Sequence, residues 1–331
     1  MKAVVATKYG GPDVLAIVER PSPAVGPRDV LIDVRAASIN PLDAKLRAGK
    51  VKLVLPLKPP IALGCDVAGV VAACGADAKK FAVGDEVFAR LEKLRMGGLA
   101  QQVAADESVV AKKPTSISFE EAASLPLVAL TSWQALHDLA KVSDGERVAI
   151  TAGAGGVGTI AIQIAKMRRL RVATTTSTKN IEFVKSLGAD EVIDYTKQSL
   201  DDKPYEYSAV FDSLGGDSEL QAIRATRRGG VVVGIGGIPD GEFAKEWMPG
   251  WSRPAIWLMT RKRRSAARRG NVQFRYLFMR PDGEQLAMIA AAVDAGMLRP
   301  VIHKTYPLDD IKEAFAELER GKSRGKIVVT I

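Results

Sequence analysis

The first 110 or so residues consist of short apolar runs that alternate or carry β-branched side chains, such as Val30-Leu31-Ile32-Asp33-Val34 and Val67-Ala68-Gly69-Val70-Val71, separated by Gly and Pro. Such runs, bounded by turn residues, predict strands and a mostly β region from Lys2 to about Val110. Pro21-Ser22-Pro23 and the prolines between Pro56 and Pro60 read as turns between those strands. At Ser118 the pattern changes. Ser118-Phe119-Glu120-Glu121 sets a capping hydroxyl three residues before an acid and ahead of an Ala-rich apolar segment, which predicts a helix start.

After Val142-Ser143-Asp144-Gly145, apolar runs at residues 147–151, 171–176, 191–193, 209–212 and 230–234 read as buried strands, with helical stretches at 157–169 and 180–187 between them. Repeated strand-helix-strand order predicts an α/β fold whose parallel sheet is doubly wound, as in dinucleotide-binding domains. Beyond Gly250 come a basic stretch, a helical segment at 283–295, and a final apolar run at 326–331 that reads as a strand returning to the first domain.

Composition narrows the possibilities. A chain of 331 residues, 47% hydrophobic and 26% charged, has the size of two domains and the make-up of an ordinary globular protein. Charged residues break every apolar run short of the roughly 20 residues that cross a bilayer. The opening run meets Lys8 too early to be a signal-peptide core. Two cysteines, Cys65 and Cys74, suit a reducing compartment, so the expected location is the cytoplasm. The net charge of +9 would draw nucleic acid, acidic membranes or a polyanionic small molecule alike.

The chemistry lies in Gly153-Ala154-Gly155-Gly156-Val157-Gly158, which follows the strand Val148-Ala149-Ile150 and opens an amphipathic helix. There, small residues let backbone N–H groups approach a pyrophosphate at the positive end of the helix. An NAD site carries an acid about 20 residues further on, for the ribose 2′-hydroxyl. The second strand instead ends at Thr174-Thr175-Thr176-Ser177, followed by Thr178-Lys179-Asn180. Hydroxyls, an amide and an ammonium suit a 2′-phosphate, so the expected cofactor is NADPH. The alternative is that Ser177 caps the next helix and Lys179 is solvated.

With Ala36-Ala37-Ser38-Ile39-Asn40-Pro41-Leu42-Asp43, Gly64-Cys65-Asp66-Val67-Ala68-Gly69, Val83-Gly84-Asp85-Glu86-Val87, Leu130-Thr131-Ser132-Trp133, Gly188-Ala189-Asp190, Asp194-Tyr195 and Gly325-Lys326-Ile327-Val328, the chain resembles, nearly end to end, the zinc-independent medium-chain dehydrogenases/reductases of the quinone oxidoreductase and enone reductase branch. The resemblance implies a GroES-like β-barrel catalytic domain (1–119 and 272–331) and a Rossmann NADP-binding domain (120–271), with the cofactor in the cleft between them. Zinc-dependent relatives carry Cys at or beside Asn40 and His at Cys65, and four clustered cysteines after the Gly-Asp-Glu-Val turn. Neither set is present, and His137 and His303 are not at metal-ligand spacing, so no metal is expected.

The resemblance also implies roles. Asn40 and Lys45 would meet the nicotinamide half of the cofactor or the substrate carbonyl, as catalytic candidates. Thr131 would meet the nicotinamide end. The glycine loop, with Gly153, Gly155, Gly156, Val157 and Gly158, would take the pyrophosphate, and Ser177, Thr178, Lys179 and Tyr195 the adenosine phosphate. The implied reaction is hydride transfer from NADPH to a quinone or an α,β-unsaturated carbonyl, in a homodimer paired through the strand near 231–235. Two other functions stay open: a scaffold that binds NADPH without turnover, and RNA binding through Arg261-Lys262-Arg263-Arg264 with Arg268-Arg269. Trp247, Trp251 and Trp257 read as packing residues, with the lining of a substrate cleft as the alternative.

Overall fold

A computed structural model describes the whole chain, residues 1–331. It forms two compact units, Met1–Leu130 with Arg280–Ile331, and Thr131–Met279.

The first unit opens with strands β1 (Lys2–Ala6), β2 (Leu15–Glu19), β3 (Asp29–Ile39), β4 (Ile61–Ala62), β5 (Asp66–Cys74), β6 (Glu86–Arg90), β7 (Gln102–Asp106) and β8 (Val110–Lys112). β1 pairs with β2 and β4 in a small antiparallel sheet. β3 is the long central strand of the other sheet, and it pairs antiparallel with both β5 and β7. Its register against β5 shifts twice, at Leu31/Ile32 and at Val34/Ala36, and such irregularities bend a strand.

Helix α1 (Pro41–Arg47) follows β3 without a loop, because the Asp43 carboxylate accepts the Asn40 N–H at its start and Pro41 supplies a helical φ at the first position. Ser118 and Glu121 cap α2 (Phe119–Ala123) reciprocally, as their spacing predicts, and α3 (Pro126–Trp133) comes next.

The second unit alternates as expected: β9 (Arg147–Ile150), α4 (Gly156–Met167), β10 (Arg171–Thr176), α5 (Ile181–Ser186), β11 (Glu191–Asp194), β12 (Tyr207–Asp212), α6 (Asp217–Ala225) and β13 (Thr226–Gly234). Helices α7 (Gly241–Trp247), α8 (Arg253–Met259) and α9 (Arg261–Gly270) then lead to a sixth strand, β14 (Gln273–Tyr276). The strand order is β11-β10-β9-β12-β13-β14, all parallel. Ala149, Ala173, Val210 and Val232, one from each of four strands, share a core with Ile223 of α6.

The position of β14 corrects the expectation of an open edge at 231–235. β14 covers that edge, so β13 is an inner strand and β14 is the outer one. Its Gln-Phe-Arg-Tyr sequence alternates exposed and half-buried side chains, which suits an outer strand but carries no apolar run to announce it.

The chain then returns to the first unit through α10 (Gly283–Asp294), β15 (Ile302–Pro307), α11 (Ile311–Glu319) and β16 (Lys326–Thr330). β16 runs parallel to β15 and antiparallel to β3, giving the order β15-β16-β3-β5-β6-β8. No helix is long and apolar enough to cross a membrane.

Candidate functional site

In the first unit, three strand ends meet at one buried polar cluster. The β3–β16 register sets Ile39 opposite Ile327, and the β3–β5 register sets Ser38 opposite Asp66. Asn40, Asp66 and Lys326 therefore come together. The Asn40 amide nitrogen donates to Asp66 Oδ2 at 2.9 Å and lies 3.5 Å from Cys65 Sγ. The Lys326 ammonium donates to the side-chain oxygen of Asn40 and, at 2.9 Å, to the Ile39 carbonyl; it stands 3.6 Å from Asp66 Oδ2. Ser38 Oγ donates to the same carboxylate, and its other oxygen accepts the Leu127 N–H at 2.9 Å, which ties the cluster to the first turn of α3.

Asp43 completes the arrangement by accepting the N–H groups of Asn40 and Gly64. Burial raises its carboxyl to about 6 against those two hydrogen bonds, and burial likewise pushes the Cys65 thiol up.

Asn40 is 1% exposed, and both ends of its amide are engaged inside the protein. Its place is that of a pin between β3, β5 and β16. Lys45 lies on the exposed side of α1. Asp66 and Lys326 lie inside recognisable motifs, yet neither stands out in the sequence as a functional residue. The available signal is a charge at the head of an otherwise apolar strand, Asp66 before Val67-Ala68 and Lys326 before Ile327-Val328-Val329. His137 stacks on Trp133 with ring centroids 4.3 Å apart, and His303 lies 3.2 Å from Glu317.

In the second unit, the glycine loop crosses from β9 to α4 against the end of β10. Gly153 N–H donates to the Thr175 carbonyl and Ala152 N–H to Thr175 Oγ1. A Cβ on Gly153 would lie 2.1 Å from Thr174 Oγ1, and one on Gly158 2.3 Å from the Ala152 carbonyl oxygen. Close approach of the turn to β10 at Gly153, and of turn to helix at Gly158, thus calls for glycine at both positions. Gly155 is the N-cap of α4 and supplies no side-chain cap, so no capping side chain competes with an anion for the first-turn N–H groups.

Ser132 Oγ on α3 donates to the Val157 carbonyl behind the loop, next to the buried Thr131. Asp212, at the end of β12, accepts from Thr151 Oγ1, Ser218 Oγ and Gly215 N–H and so holds the neighbouring turn. Ser132 lies in the Leu130–Trp133 motif without being singled out there, and Asp212, outside every motif, carries no signal in the sequence.

Beside the loop, Tyr195 N–H donates to the Thr176 carbonyl at 3.0 Å, which places Tyr195 next to Ser177 at the ends of β11 and β10. Ser177 makes no side-chain cap, contrary to the capping alternative. Lys179 and Tyr195 are exposed. Thr178 Oγ1 donates to Asp194 Oδ2 at 2.5 Å, so its hydroxyl proton is committed. With that bond first and those from Thr196 next, the Asp194 carboxyl is held at about 2. The end of β10 itself carries no acid.

Comparison with known proteins gives concordant matches. Residues 26–115 match the family model of the alcohol dehydrogenase GroES-like domain and residues 187–329 that of zinc-binding dehydrogenases. The chain is 35% identical over 365 residues to the NAD(P)H oxidoreductase RTN4IP1, mitochondrial, of Mus musculus, covering all of this chain and 89% of the relative. It is 35% identical over 343 residues to the NADPH-dependent alkenal/one oxidoreductase, chloroplastic, of Arabidopsis thaliana, covering 99% of this chain and 79% of that one. Among solved structures, the quinone oxidoreductase from Coxiella burnetii superposes with a TM-score of 0.85 at 32% identity, over 100% of this chain and 99% of the other.

Proposed function

Because the chain belongs to the medium-chain dehydrogenase/reductase family, as an NAD(P)H-dependent oxidoreductase of the quinone/alkenal reductase type, we propose that it uses NADPH to reduce a quinone or an α,β-unsaturated carbonyl without catalytic zinc. The observation that carries the choice of NADPH is the end of β10: Tyr195 lies next to Ser177, Lys179 follows two residues on, and no acid stands in the position that would hold a ribose 2′-hydroxyl. Cation and hydroxyls together suit a dianionic phosphate.

The buried cluster supports zinc independence. A tetrahedral zinc site needs three or four deprotonated donors. Here burial raises the Cys65 thiol, the Asn40 amide nitrogen is a donor, and the Lys326 ammonium already stands 3.6 Å from Asp66. This donor set does not fit zinc.

NADPH, when bound, supplies the hydride. The backbone of Gly153 to Gly158 would receive the pyrophosphate at the start of α4, Thr131 the nicotinamide end, and Ser177, Lys179 and Tyr195 the 2′-phosphate, while the Thr178 hydroxyl, committed to Asp194, would not reach it as a donor. Negative charge develops on the substrate oxygen once hydride has reached the β-carbon or the quinone ring, and a hydrogen-bond donor there is worth about 10²–10³ in rate. Lys45, exposed on α1, is the side chain free to take that role, while Asn40 acts by fixing the start of α1. A cytoplasmic location fits the free thiols of Cys65 and Cys74. A homodimer would pair through the outer strand β14.

The test follows cofactor oxidation by absorbance, with a simple quinone and a short enone as acceptors and NADH in parallel. Turnover with NADPH well above NADH is expected, and S177A/K179A should raise the KM for NADPH by roughly tenfold while leaving that for NADH unchanged. Equal use of both cofactors would overturn the NADPH assignment. NADPH binding with no oxidation in the presence of either acceptor would favour a binding scaffold.

A further inference from the structure

The net positive charge of this protein is carried by one segment. Between Glu246 and Asp282 there are nine Arg and Lys residues and no acid, which equals the whole net charge of +9; the rest of the chain balances at 38 basic and 38 acidic residues. Ser252, Ile256, Thr260, Arg263 and Ala267 are buried at intervals of four, four, three and four residues, so α8 and α9 turn one continuous face inward.

The outward face has two halves. On α8 and just before it, Trp251 is 73% exposed, Trp257 63%, Leu258 57% and Met259 61%. On α9, Arg261, Lys262, Arg268 and Arg269 are exposed and have no acidic partner. Three acids nearby are engaged elsewhere, Glu219 with Arg263, Glu242 with Lys245, and Asp240 with the N–H groups of Phe243 and Tyr276, while Glu246 is exposed on α7. Arg264 lies over the Trp257 ring at 4.3 Å and donates to the Trp257 carbonyl, so the largest apolar side chain is held where it is displayed.

We propose that the outward face of α8 and α9 docks on an anionic lipid surface, with Trp251, Trp257, Leu258 and Met259 entering the headgroup–acyl boundary and Arg261, Lys262, Arg268 and Arg269 resting on acidic headgroups. An amphipathic helical run that carries exposed Trp and Leu beside clustered Arg and Lys has the chemistry of an interfacial helix. Charge decides against a second copy of the chain as occupant, since two such faces would bring unneutralised cations together. The aliphatic side chains decide against nucleic acid: a phosphate backbone is met by cations and stacking rings, and Leu258 and Met259 would contribute nothing to it.

The test uses the full chain in co-sedimentation with phosphatidylcholine vesicles, either pure or doped with phosphatidylserine, while Trp emission is recorded. Binding to the doped vesicles only, weakened by salt and accompanied by a blue shift, is expected. R261Q/K262Q/R268Q/R269Q should lose at least about tenfold in partitioning, and W257A/L258A/M259A should lose both partitioning and most of the blue shift. All of these side chains are exposed, and unchanged thermal unfolding identifies variants that fold. Absence of binding to doped vesicles at low salt would overturn the proposal, as would binding that the triple variant leaves intact. It would also fall if the triple variant converted a dimer to a monomer, which would give the face to a second copy. Tighter binding to polyuridylate that survives the triple change would give it to RNA.

Discussion

The Lys326 ammonium stands 3.6 Å from the Asp66 carboxylate and donates to the side-chain oxygen of Asn40, although 260 and 286 positions separate it from them in the chain. All three side chains are at least nine-tenths buried. Removing the cation alone leaves Asp66 charged and unpaired in the interior, a change that typically costs about 3–5 kcal/mol. K326M should therefore lower the unfolding midpoint sharply, and K326M/D66N should recover part of the loss. Denaturant unfolding of the four members of this cycle measures the coupling; simple additivity of the two changes would contradict the pairing.

Asp43 gives the same region a dependence on pH. Its folded pKa, raised by burial to about 6, lies above the ordinary value of 3.8. Between those two values the folded protein holds the proton more tightly than the unfolded chain, so stability falls as pH rises through the window. Relative to D43N, which does not titrate at this position, the wild-type protein should lose roughly 2–3 kcal/mol between pH 4 and pH 6.5. Chemical unfolding of both proteins at several pH values reads this directly, and a constant difference would show that Asp43 titrates normally.

The glycines of the loop should not be equivalent. A methyl group on Gly158 meets the Ala152 carbonyl oxygen at 2.3 Å, whereas one on Gly155 comes no closer than 3.3 Å to the same atom. G158A should weaken NADPH binding by more than about tenfold, since turn and helix must separate and the first-turn amides move with them. G155A should stay within a few-fold of wild type. Titration of NADPH fluorescence distinguishes the two, and equal losses would mean that closeness of turn to helix is not what the loop requires.

Two adjacent cations on α9 should also differ. Arg263 is buried, pairs with Glu219 at 3.1 Å and lies 4.0 Å over the Phe274 ring. Burial raises the Glu219 carboxyl against this partner. R263M should destabilise by about 3–5 kcal/mol, whereas K262Q, at the exposed position beside it, should stay within about 0.5 kcal/mol. Thermal unfolding compares them, and similar losses would place the charge cluster, rather than the buried pair, at the origin of the effect.

The elements with local signals were legible in the sequence. The glycine loop, the Ser118 cap, the alternation from β9 to β13 and the returning strand β16 are each marked by residues within a few positions of one another. β14 was not, because an outer strand of four residues with two exposed side chains shows no apolar run. Asn40 sits in a recognisable motif, but its engagement by Asp66 and Lys326 depends on register between strands from distant parts of the chain. The expectation that the tryptophans are packed holds for Trp247, which meets Phe278 edge-on at 5.0 Å, and fails for Trp251 and Trp257. Hydrophobicity alone cannot separate a buried ring from a displayed one.

The placement of β16 bears on the order in which the molecule is made. β3 is synthesised early, yet its partner on one side is a strand of residues 326–330, so the first unit has an unfilled seam until residue 330 leaves the ribosome. The second unit, Thr131–Met279, is by then complete and free to fold. The part of the protein that begins first is thus the part that finishes last. During that interval the exposed side of β3 has to be shielded from other nascent strands, which makes the first unit the vulnerable one in synthesis.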